Sequence, residues 1–333
     1  MKISVIVPVR NEEDSIRELL DNLLTQTRRP DEIVITDGGS TDSTREIITE
    51  YIRNQAPIRL IRATAALPGR GRNLAAAEAK FEWLGFIDAG IRPAKNWLNT
   101  LVSRVEKDDT LDVVYGSWEP ITDSFFKECA AITYLPPPVL INGISTRPRS
   151  IASTLMRREV WRAVGGFPES LRSGEDLIFM NRVESAGFRF VFEPLAVVYW
   201  SIKPTLATTF KRFVAYSRSN IRAGLWRQWQ AAIISRYLIL TLLVLPAVFL
   251  GLPWLLLPVL CWIFMLVSRG VVAIWRNRSC YPATMTHNLK RLCVITPLLA
   301  VLDAAAIIGS INWLLKDSFR WHGETVTEVS DGA

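Results

Sequence analysis

Short apolar runs alternate with helix-periodic segments from the N-terminus to Tyr199. Runs of about four to eight apolar residues predict buried strands. The predicted strands are Ile3–Val7, Glu32–Thr36, Ile58–Ile61, Trp83–Ile87, Val113–Tyr115, Ile151–Met156, Phe188–Phe192 and Ala196–Tyr199. Segments between them, such as Ile16–Leu24, repeat apolar residues at helical spacing. This alternation with short connections predicts an α/β fold with a doubly wound, mostly parallel sheet.

One of these apolar runs stops at a carboxylate. Asp88 follows the predicted strand Trp83–Ile87, and Gly90 then allows a tight turn. In open α/β sheets, ligands bind at the carboxyl ends of the strands. An aspartate at such a place can equally cap a turn. The stretch alone therefore leaves a structural and a functional interpretation open.

Other polar residues are predicted to lie at the same sheet edge. The loops after the first, second and fourth strands carry Arg10, Glu12, Asp37 and Asp88, and Arg72 lies in a Gly-rich basic loop before a helix. Carboxylates can hold a divalent cation or a ribose, and arginines bind phosphate. This edge therefore suits a nucleoside diphosphate with a divalent cation. Neither a P-loop nor a G-x-G-x-x-G motif is present.

A second acidic feature is the pair Glu175-Asp176, which begins a predicted helix. Acidic residues in a first helical turn commonly interact only with the helix dipole. The functional interpretation is a general base, in which one carboxylate removes a proton from an acceptor hydroxyl and the other is held by hydrogen bonds.

Residues 119–150 show few periodic signals and include three consecutive prolines, Pro136–Pro138. We predict a long irregular segment here, which is either a binding loop or disordered.

The charge distribution favours a membrane partner over nucleic acid. Lysine and arginine exceed aspartate and glutamate by 39 − 32 = 7. The stretch from Phe210 to Arg236 is basic, contains no acidic residue and runs into an apolar segment. A basic stretch next to an apolar one suits an anionic membrane surface. The four cysteines show no C-x-x-C spacing and predict reduced structural thiols.

The C-terminal part predicts membrane helices after an interfacial segment. Residues 204–230 mix aromatic and basic side chains, which suits a helix in the headgroup region, with a soluble amphipathic helix as the alternative. Residues 231–268 predict two crossings or a re-entrant hairpin, broken near Pro253. Residues 292–315 predict a third crossing or an interfacial helix, and within them Asp303 would pair with a basic residue or a polar lipid group.

The predicted organisation is a catalytic domain at 1–203, an interfacial region at 204–230, membrane helices at 231–315 and a polar tail at 316–333. Basic residues flank the apolar segments, and the N-terminus lacks the apolar core of a signal peptide. We therefore expect the catalytic domain on the cytoplasmic side of the inner membrane.

Five motifs in order resemble the family-2 glycosyltransferases with the GT-A fold, over roughly residues 1–200. They are Val5–Glu12 (V-P-x-x-N-E), Ile35–Asp42 (D-G-S-x-D with one extra Gly), Arg72-Asn73 (R-N), Phe86–Gly90 (D-x-D) and Gly165–Arg182 (G-G-F, then E-D). Each motif is weak alone, but their order and spacing are specific.

The resemblance implies roles for particular residues. Pro8, Glu12 and Asp37 would hold the base and ribose of a nucleotide-sugar, with Arg10 in the same donor site, and Arg72 would lie near the diphosphate. Asp88 would bind the metal, Mg²⁺ or Mn²⁺. Asp176, with Glu175 beside it, would activate the acceptor hydroxyl for an inverting attack.

One position departs from the family pattern. Gly90 stands where the second Asp of D-x-D is expected. Asp88, the donor diphosphate and waters would then have to hold the cation, since Mg²⁺ commonly keeps several waters.

We therefore expect an inverting glycosyltransferase that moves a sugar from a UDP- or GDP-sugar to a lipid or lipid-linked acceptor. The alternative is a non-catalytic nucleotide-sugar-binding or scaffold protein with a degenerate D-x-D motif. Processive polymer synthesis is disfavoured because no Q-x-x-R-W segment follows Asp176. A nucleotidyltransferase ranks third because the loop after the first strand, Pro8–Glu12, lacks glycine.

Overall fold

The computed structural model describes residues 1–141 and 144–317, which form two compact units. The first unit contains residues 1–123 and 136–202. The second contains residues 124–135 and 203–317. The polypeptide therefore leaves the first unit after Asp123, returns at Pro136 and leaves again after Ile202.

The first unit is built on a mixed eight-stranded sheet with the order β3-β2-β1-β4-β9-β6-β10-β5. The strands β1 to β4, and separately β6 and β10, pair in parallel, whereas β9 and β5 are antiparallel to their neighbours. A short hairpin is formed by β7 and β8. The strands are β1 (Ile3–Val9), β2 (Glu32–Asp37), β3 (Ile58–Arg62), β4 (Trp83–Phe86), β5 (Ile91–Pro93), β6 (Val113–Ile121), β7 (Val139–Ile141), β8 (Ile144–Thr146), β9 (Thr154–Arg157) and β10 (Phe190–Ser201).

Helices cover both faces of this sheet, as the doubly wound prediction requires. Alternate residues of β1 point to opposite faces: Val5 and Val7 join a cluster with Leu20 and Trp97, whereas Ile6 joins the cluster on the other face. The helices of this unit are α1 (Ile16–Leu24), α2 (Thr44–Arg53), α3 (Pro68–Glu78), α4 (Trp97–Glu106), α6 (Arg158–Ala163) and α7 (Glu175–Ser185).

Three local predictions for this unit differ from the structure. The two predicted closing strands are one strand, β10, with a register shift between Glu193 and Val197. Residues Ile151–Ser153 form a 3₁₀ turn before β9. Strand β5 was not predicted, because three residues after a turn carry no periodic signal.

The second unit is helical and contains a helix that the sequence did not reveal. It consists of α5 (Phe125–Tyr134), α8 (Leu206–Arg222), α9 (Trp226–Trp229), α10 (Ala231–Leu242), α11 (Leu245–Leu250), α12 (Leu256–Arg276) and α13 (Met285–Lys316). The prediction of an irregular segment at residues 119–150 is therefore wrong for α5. Ser124 caps α5 by accepting a hydrogen bond from the Lys127 N–H.

Packing with helices distant in sequence holds α5 in place. Its Cys129 and Ile132 are buried in a cluster with Leu266 of α12 and Ile295 of α13. Charged groups add to this contact: Glu128 of α5 accepts a 2.6 Å bond from Arg291, whose side chain is only 4% exposed.

Within the described ranges, two helices are long and apolar enough to cross a membrane, Leu252–Arg276 with its 3₁₀ start and Met285–Lys316. The helix at Ala231–Leu242 is apolar but shorter. The last helix begins seven residues before the predicted segment at 292 (292 − 285 = 7). The predicted tail at 316–333 lies outside the described residues from 318 onward. The number of crossings stays a prediction.

Candidate functional site

Helix α3 delivers Arg72 to the carboxyl edge of the sheet. The predicted Gly-rich loop is in fact the start of this helix, which begins at Pro68, a residue whose fixed φ suits a first helical position. A side chain at Gly71 would bring its Cβ within 3.1 Å of the Pro8 Cβ in β1. Glycine therefore allows α3 to pack closely on β1, and the next residue, Arg72, is 3% exposed.

Arg72 joins two of the predicted site carboxylates. Its guanidinium donates a 2.6 Å bond to Asp88 Oδ1 and a 2.8 Å bond to Glu175 Oε1. The Glu175 side chain is only 5% exposed, whereas that of Asp88 is 33% exposed. Burial lowers the pKa of Arg72, but the charges of Asp88, Glu175 and Asp176 outweigh burial and raise it. The arginine is therefore a permanent cation among three carboxylates.

The two adjacent carboxyl groups at the start of α7 both have a pKa above the usual value for their residue type. Burial raises the pKa of Asp176, the charge of Asp88 raises it further, and Arg72 opposes both effects. The pKa of Glu175 is also raised, chiefly by burial, with Arg72 opposing. A carboxylate with a raised pKa accepts a proton more readily, which is the property of a general base.

Two buried atoms of this cluster lack a hydrogen-bond partner among the described residues, Arg72 Nε and Glu175 Oε2. Buried polar atoms are normally paired, so unpaired ones need an explanation such as a ligand. We call Arg72, Asp88, Glu175 and Asp176 the acidic cluster.

Asn73 has a positional role that the sequence pattern did not predict. Its Oδ1 accepts bonds from the Trp161 indole (3.0 Å) and the Phe167 N–H (2.8 Å). Its Nδ2 donates to the Phe167 carbonyl and to Glu169, both at 2.9 Å. All its amide atoms are thus used to fix the turn before α7. The only sequence signal was its place beside Arg72.

The loops after β1 and β2 are tied to each other. The Asn11 N–H donates to Ser40 Oγ, and Asn11 Oδ1 accepts from the Thr41 N–H. The Glu12 N–H donates to Thr44 Oγ1 at 2.8 Å. These bonds fix the two polar loops at neighbouring strand ends, where several predicted residues lie.

The remaining predicted residues differ in exposure. Asp37 ends β2 and is buried, with Oδ1 accepting from the Ser40 N–H at 3.0 Å and Arg45 Nε 3.7 Å from Oδ2. Pro8 is half-buried in β1, and Arg10 is exposed. Among the residues that the structure describes, no hydrogen bond or ion pair joins Pro8, Arg10 or Asp37 to the acidic cluster, although β1 lies between β2 and β4 in the sheet.

Gly90 faces Glu12. It has a φ of +77°, and a Cβ built on it would lie 3.5 Å from Glu12 Oε2. Asp88 and Glu12 offer the hard oxygen ligands that Mg²⁺ and Mn²⁺ prefer. The described residues contain no group of three or more His, Cys, Asp or Glu placed to hold a metal. A cation held at these two side chains would therefore also need oxygens from a bound substrate.

Sequence comparison identifies relatives of the first unit. A sequence model described as Glycosyl transferase family 2 matches residues 4–163. The poly(ribitol-phosphate) beta-glucosyltransferase of Bacillus spizizenii is 30% identical over 192 residues, covering 54% of this chain and 29% of that protein. The poly(ribitol-phosphate) beta-N-acetylglucosaminyltransferase TarS of Staphylococcus aureus is 30% identical over 187 residues, covering 54% and 32%. The chain spans about a third of the length of these relatives.

Structure comparison extends over almost the whole chain. The mannosyltransferase PcManGT from Pyrobaculum calidifontis, solved in complex with GDP-Man and Mn²⁺, aligns with a TM-score of 0.60 at 19% identity. The alignment covers 95% of this chain and 88% of that one. At this identity the likeness shows the fold. The prediction of a GT-A-like, mostly parallel α/β sheet followed by a helical region is confirmed.

Proposed function

Residues 4–163 belong to glycosyl transferase family 2, and from that premise we propose that the whole chain is an inverting glycosyltransferase. It moves a sugar from a UDP- or GDP-linked donor to a lipid or lipid-linked acceptor. The observation that carries this proposal is the acidic cluster, which lies beside the carboxyl end of β4, where ligands bind in open α/β sheets.

In this proposal, Asp176 is the base and the reaction is a single displacement. The acceptor hydroxyl oxygen forms a bond to the anomeric carbon while the bond from that carbon to the diphosphate oxygen breaks. The hydroxyl proton passes to the Asp176 carboxylate, and the nucleoside diphosphate leaves with the bonding electrons. The raised pKa of Asp176 supports this role, because proton transfer is most efficient when the pKa of the base approaches the working pH.

Glu175 and Arg72 orient the base and bind the donor. The bond from Arg72 to Glu175 holds the start of α7, and thereby the backbone of Asp176, in a fixed place. Arg72 carries a permanent positive charge near the position proposed for the donor diphosphate. Pro8, Arg10, Glu12 and Asp37 would hold the base and ribose at the adjacent strand ends.

The proposed cation is Mg²⁺ or Mn²⁺, held by Asp88 together with the donor diphosphate. When bound, it would supply positive charge to the leaving diphosphate. PcManGT, whose fold this chain shares, was solved with Mn²⁺.

A membrane acceptor is supported by the second unit. Large apolar side chains such as Leu252 (77% exposed), Phe264 (75%) and Leu315 (72%) are exposed on the helices long and apolar enough to cross a bilayer. Exposed apolar surface of this extent marks an interaction site. Two relatives are named for poly(ribitol-phosphate). We therefore propose that the protein resides in the inner membrane, with the first unit in the cytoplasm.

The test measures nucleoside diphosphate release by the full chain in detergent with UDP- and GDP-sugars, Mn²⁺ and extracted membrane lipids. We expect turnover with one donor, and a loss of about 10²–10⁴-fold on Asp176→Asn. Asp109→Asn is the matched control, because Asp109 is exposed and lies at the opposite sheet edge. Unchanged turnover in Asp176→Asn would show that another group is the base.

One observation favours a second candidate, a nucleotide-sugar-binding protein without catalysis. Gly90 leaves Asp88 without a second aspartate. Calorimetry with UDP- and GDP-sugars, with and without Mn²⁺, separates the candidates when combined with the turnover assay. Donor binding without turnover across a broad acceptor panel would support this candidate and contradict the enzyme.

A further inference from the structure

The helical unit contains a charged cluster among apolar helices. Asp303 of α13 is 1% exposed. It accepts bonds of 2.5 and 3.1 Å from the guanidinium of Arg269 on α12. The Tyr237 hydroxyl of α10 donates to the same carboxylate at 3.2 Å and accepts a 3.1 Å bond from the Trp262 indole. Asp303 is thus fully partnered by one arginine and one tyrosine, as expected for a buried charge.

A second arginine in this cluster forms no ion pair with a carboxylate among the described residues. Arg236 directly precedes Tyr237 on α10, and the Tyr237 hydroxyl donates to Asp303. The charges of Arg269 and Asp303 also act on Arg236. Its Nε is buried and has no hydrogen-bond partner among the described residues. The sequence from Ala231 to Lys316 contains a single acidic residue, Asp303, which Arg269 already neutralises. One positive charge therefore remains in excess.

Uncompensated charge among apolar side chains is costly unless an ion of opposite sign is present. Exposed apolar side chains surround the cluster on the same helices, among them Leu238 (60% exposed), Ile239 (60%) and Leu260 (61%). A ligand that satisfies both features has an anionic head and apolar chains. Guanidinium groups bind phosphate with paired hydrogen bonds, so phosphate is the anion that suits two neighbouring arginines best.

We propose that Arg236 and Arg269 form a binding site for the phosphate group of a lipid. Arg269 is held in place by Asp303, and Arg236 supplies the excess charge. The site lies wholly within the second unit and uses none of the residues assigned to glycosyl transfer. It therefore holds whether or not Asp176 is a base.

The experiment measures binding to the purified full chain in a neutral detergent. The probes are dioctanoyl phosphatidic acid, farnesyl monophosphate, dioctanoylglycerol and inorganic phosphate. We expect at least one lipid phosphate to bind about tenfold or more tightly than the other two probes, because each of those lacks either the charge or the chains. The tighter of the two lipid phosphates identifies the chains, acyl or isoprenoid.

Arg236→Gln should weaken lipid-phosphate binding by about tenfold or more, since it removes a charged hydrogen-bond donor. The variant should fold, because the described structure gives Arg236 no hydrogen bond to lose. Arg276→Gln is the matched control: Arg276 is exposed on α12 and should leave affinity unchanged. Three results would overturn the proposal: equal affinity in Arg236→Gln, equal losses in both variants, or inorganic phosphate binding as tightly as the lipids.

Discussion

The acidic cluster of the first unit and the ion pairs of Asp317 in the second unit have opposite proportions of carboxylate and arginine. In the first unit, Arg72 stands among Asp88, Glu175 and Asp176. Carboxylate is in excess by two charges when all the groups are ionised. A site of this kind attracts cations and makes its own carboxylates better proton acceptors.

In the second unit the proportion is reversed. Asp317 at the end of α13 accepts bonds from Arg218 at 2.6 and 2.7 Å and from Arg222 at 2.9 Å. The side-chain hydrogen bond of Arg218 lowers the pKa of Asp317, against an opposing effect of burial, and Arg222 adds to the lowering. This carboxylate is therefore a poor proton acceptor, and its bonds attach the end of α13 to α8. Arginine and carboxylate thus form a carboxylate-rich cluster in one unit and an arginine-rich one in the other.

The largest effect should come from removing the single cation of the acidic cluster. Arg72→Gln leaves Glu175 buried without a positive partner, so unfolding free energy should fall by about 3–5 kcal/mol. Denaturant unfolding followed by tryptophan fluorescence measures this. Arg70→Gln is the control, because the Arg70 side chain is 50% exposed and its ion pair with Glu169 is long, at 4.0 Å. Equal losses in both variants would mean that the ion pairs of Arg72 contribute little.

A smaller loss should follow from removing the anchor. Asp317→Asn removes charge-assisted bonds to two arginines whose side chains are 38% and 37% exposed. The free energy of unfolding should fall by about 1–3 kcal/mol. Thermal unfolding in detergent reports it. Lys316→Gln, at an exposed neighbouring position, should change little. A stabilised Asp317→Asn protein would contradict the assigned anchoring role.

Adding a carboxylate near Asp88 should strengthen the binding of a divalent cation at the first cluster. Gly90→Asp places a second acid beside Glu12, and its Cβ meets no atom closer than 3.5 Å. The positive φ of 77° should cost about 1 kcal/mol, since aspartate tolerates this region better than most residues. We expect tighter Mn²⁺ binding in the presence of a nucleoside diphosphate, measured by calorimetry. Gly90→Ala controls for the backbone, and equal Mn²⁺ affinity in the two variants would exclude a metal role for this position.

The smallest effect should be in the pH dependence, with opposite signs in the two clusters. Because the pKa of Asp176 is raised, its contribution to stability is present below its ordinary value of 3.8 and is lost as pH rises through the folded pKa. The pKa of Asp317 is lowered, so its contribution is present above 3.8 and is lost as pH falls through the folded pKa.

Melting temperatures across pH check these signs. Asp176→Asn should reduce the loss of melting temperature above pH 3.8, and Asp317→Asn should reduce the loss below it. If both variants changed the pH dependence of the melting temperature in the same direction, the opposite pKa shifts of Asp176 and Asp317 would be contradicted.

The sequence predicted those parts of the fold that depend on local pattern. Apolar runs identified the strands of the eight-stranded sheet except β5, and Asp88 was expected at a strand end because charged side chains are rarely buried. Asp176 was expected at a helix start. Its roles and those of the other site residues remain predictions, since they came from resemblance.

The parts that sequence could not predict depend on distant partners. The sequence pattern of α5 alone does not distinguish this helix from a loop. Its Cys129 is buried by α12 and α13, which follow more than a hundred residues later. Arg72 was expected near a diphosphate, but its partner Glu175 is 103 residues away. Local spacing carries no information about such pairs.

Helix α5 also constrains how genes of this kind can recombine. The polypeptide passes between its units at three places, residues 123–124, 135–136 and 202–203. A crossover near residue 202 would inherit the sheet and α5 from one parent and the other helices from another. Glu128 and Ile132 would then meet foreign side chains in place of Arg291 and Ile295. Exchange of the C-terminal helices should therefore preserve these contacts only when α5 is inherited with them.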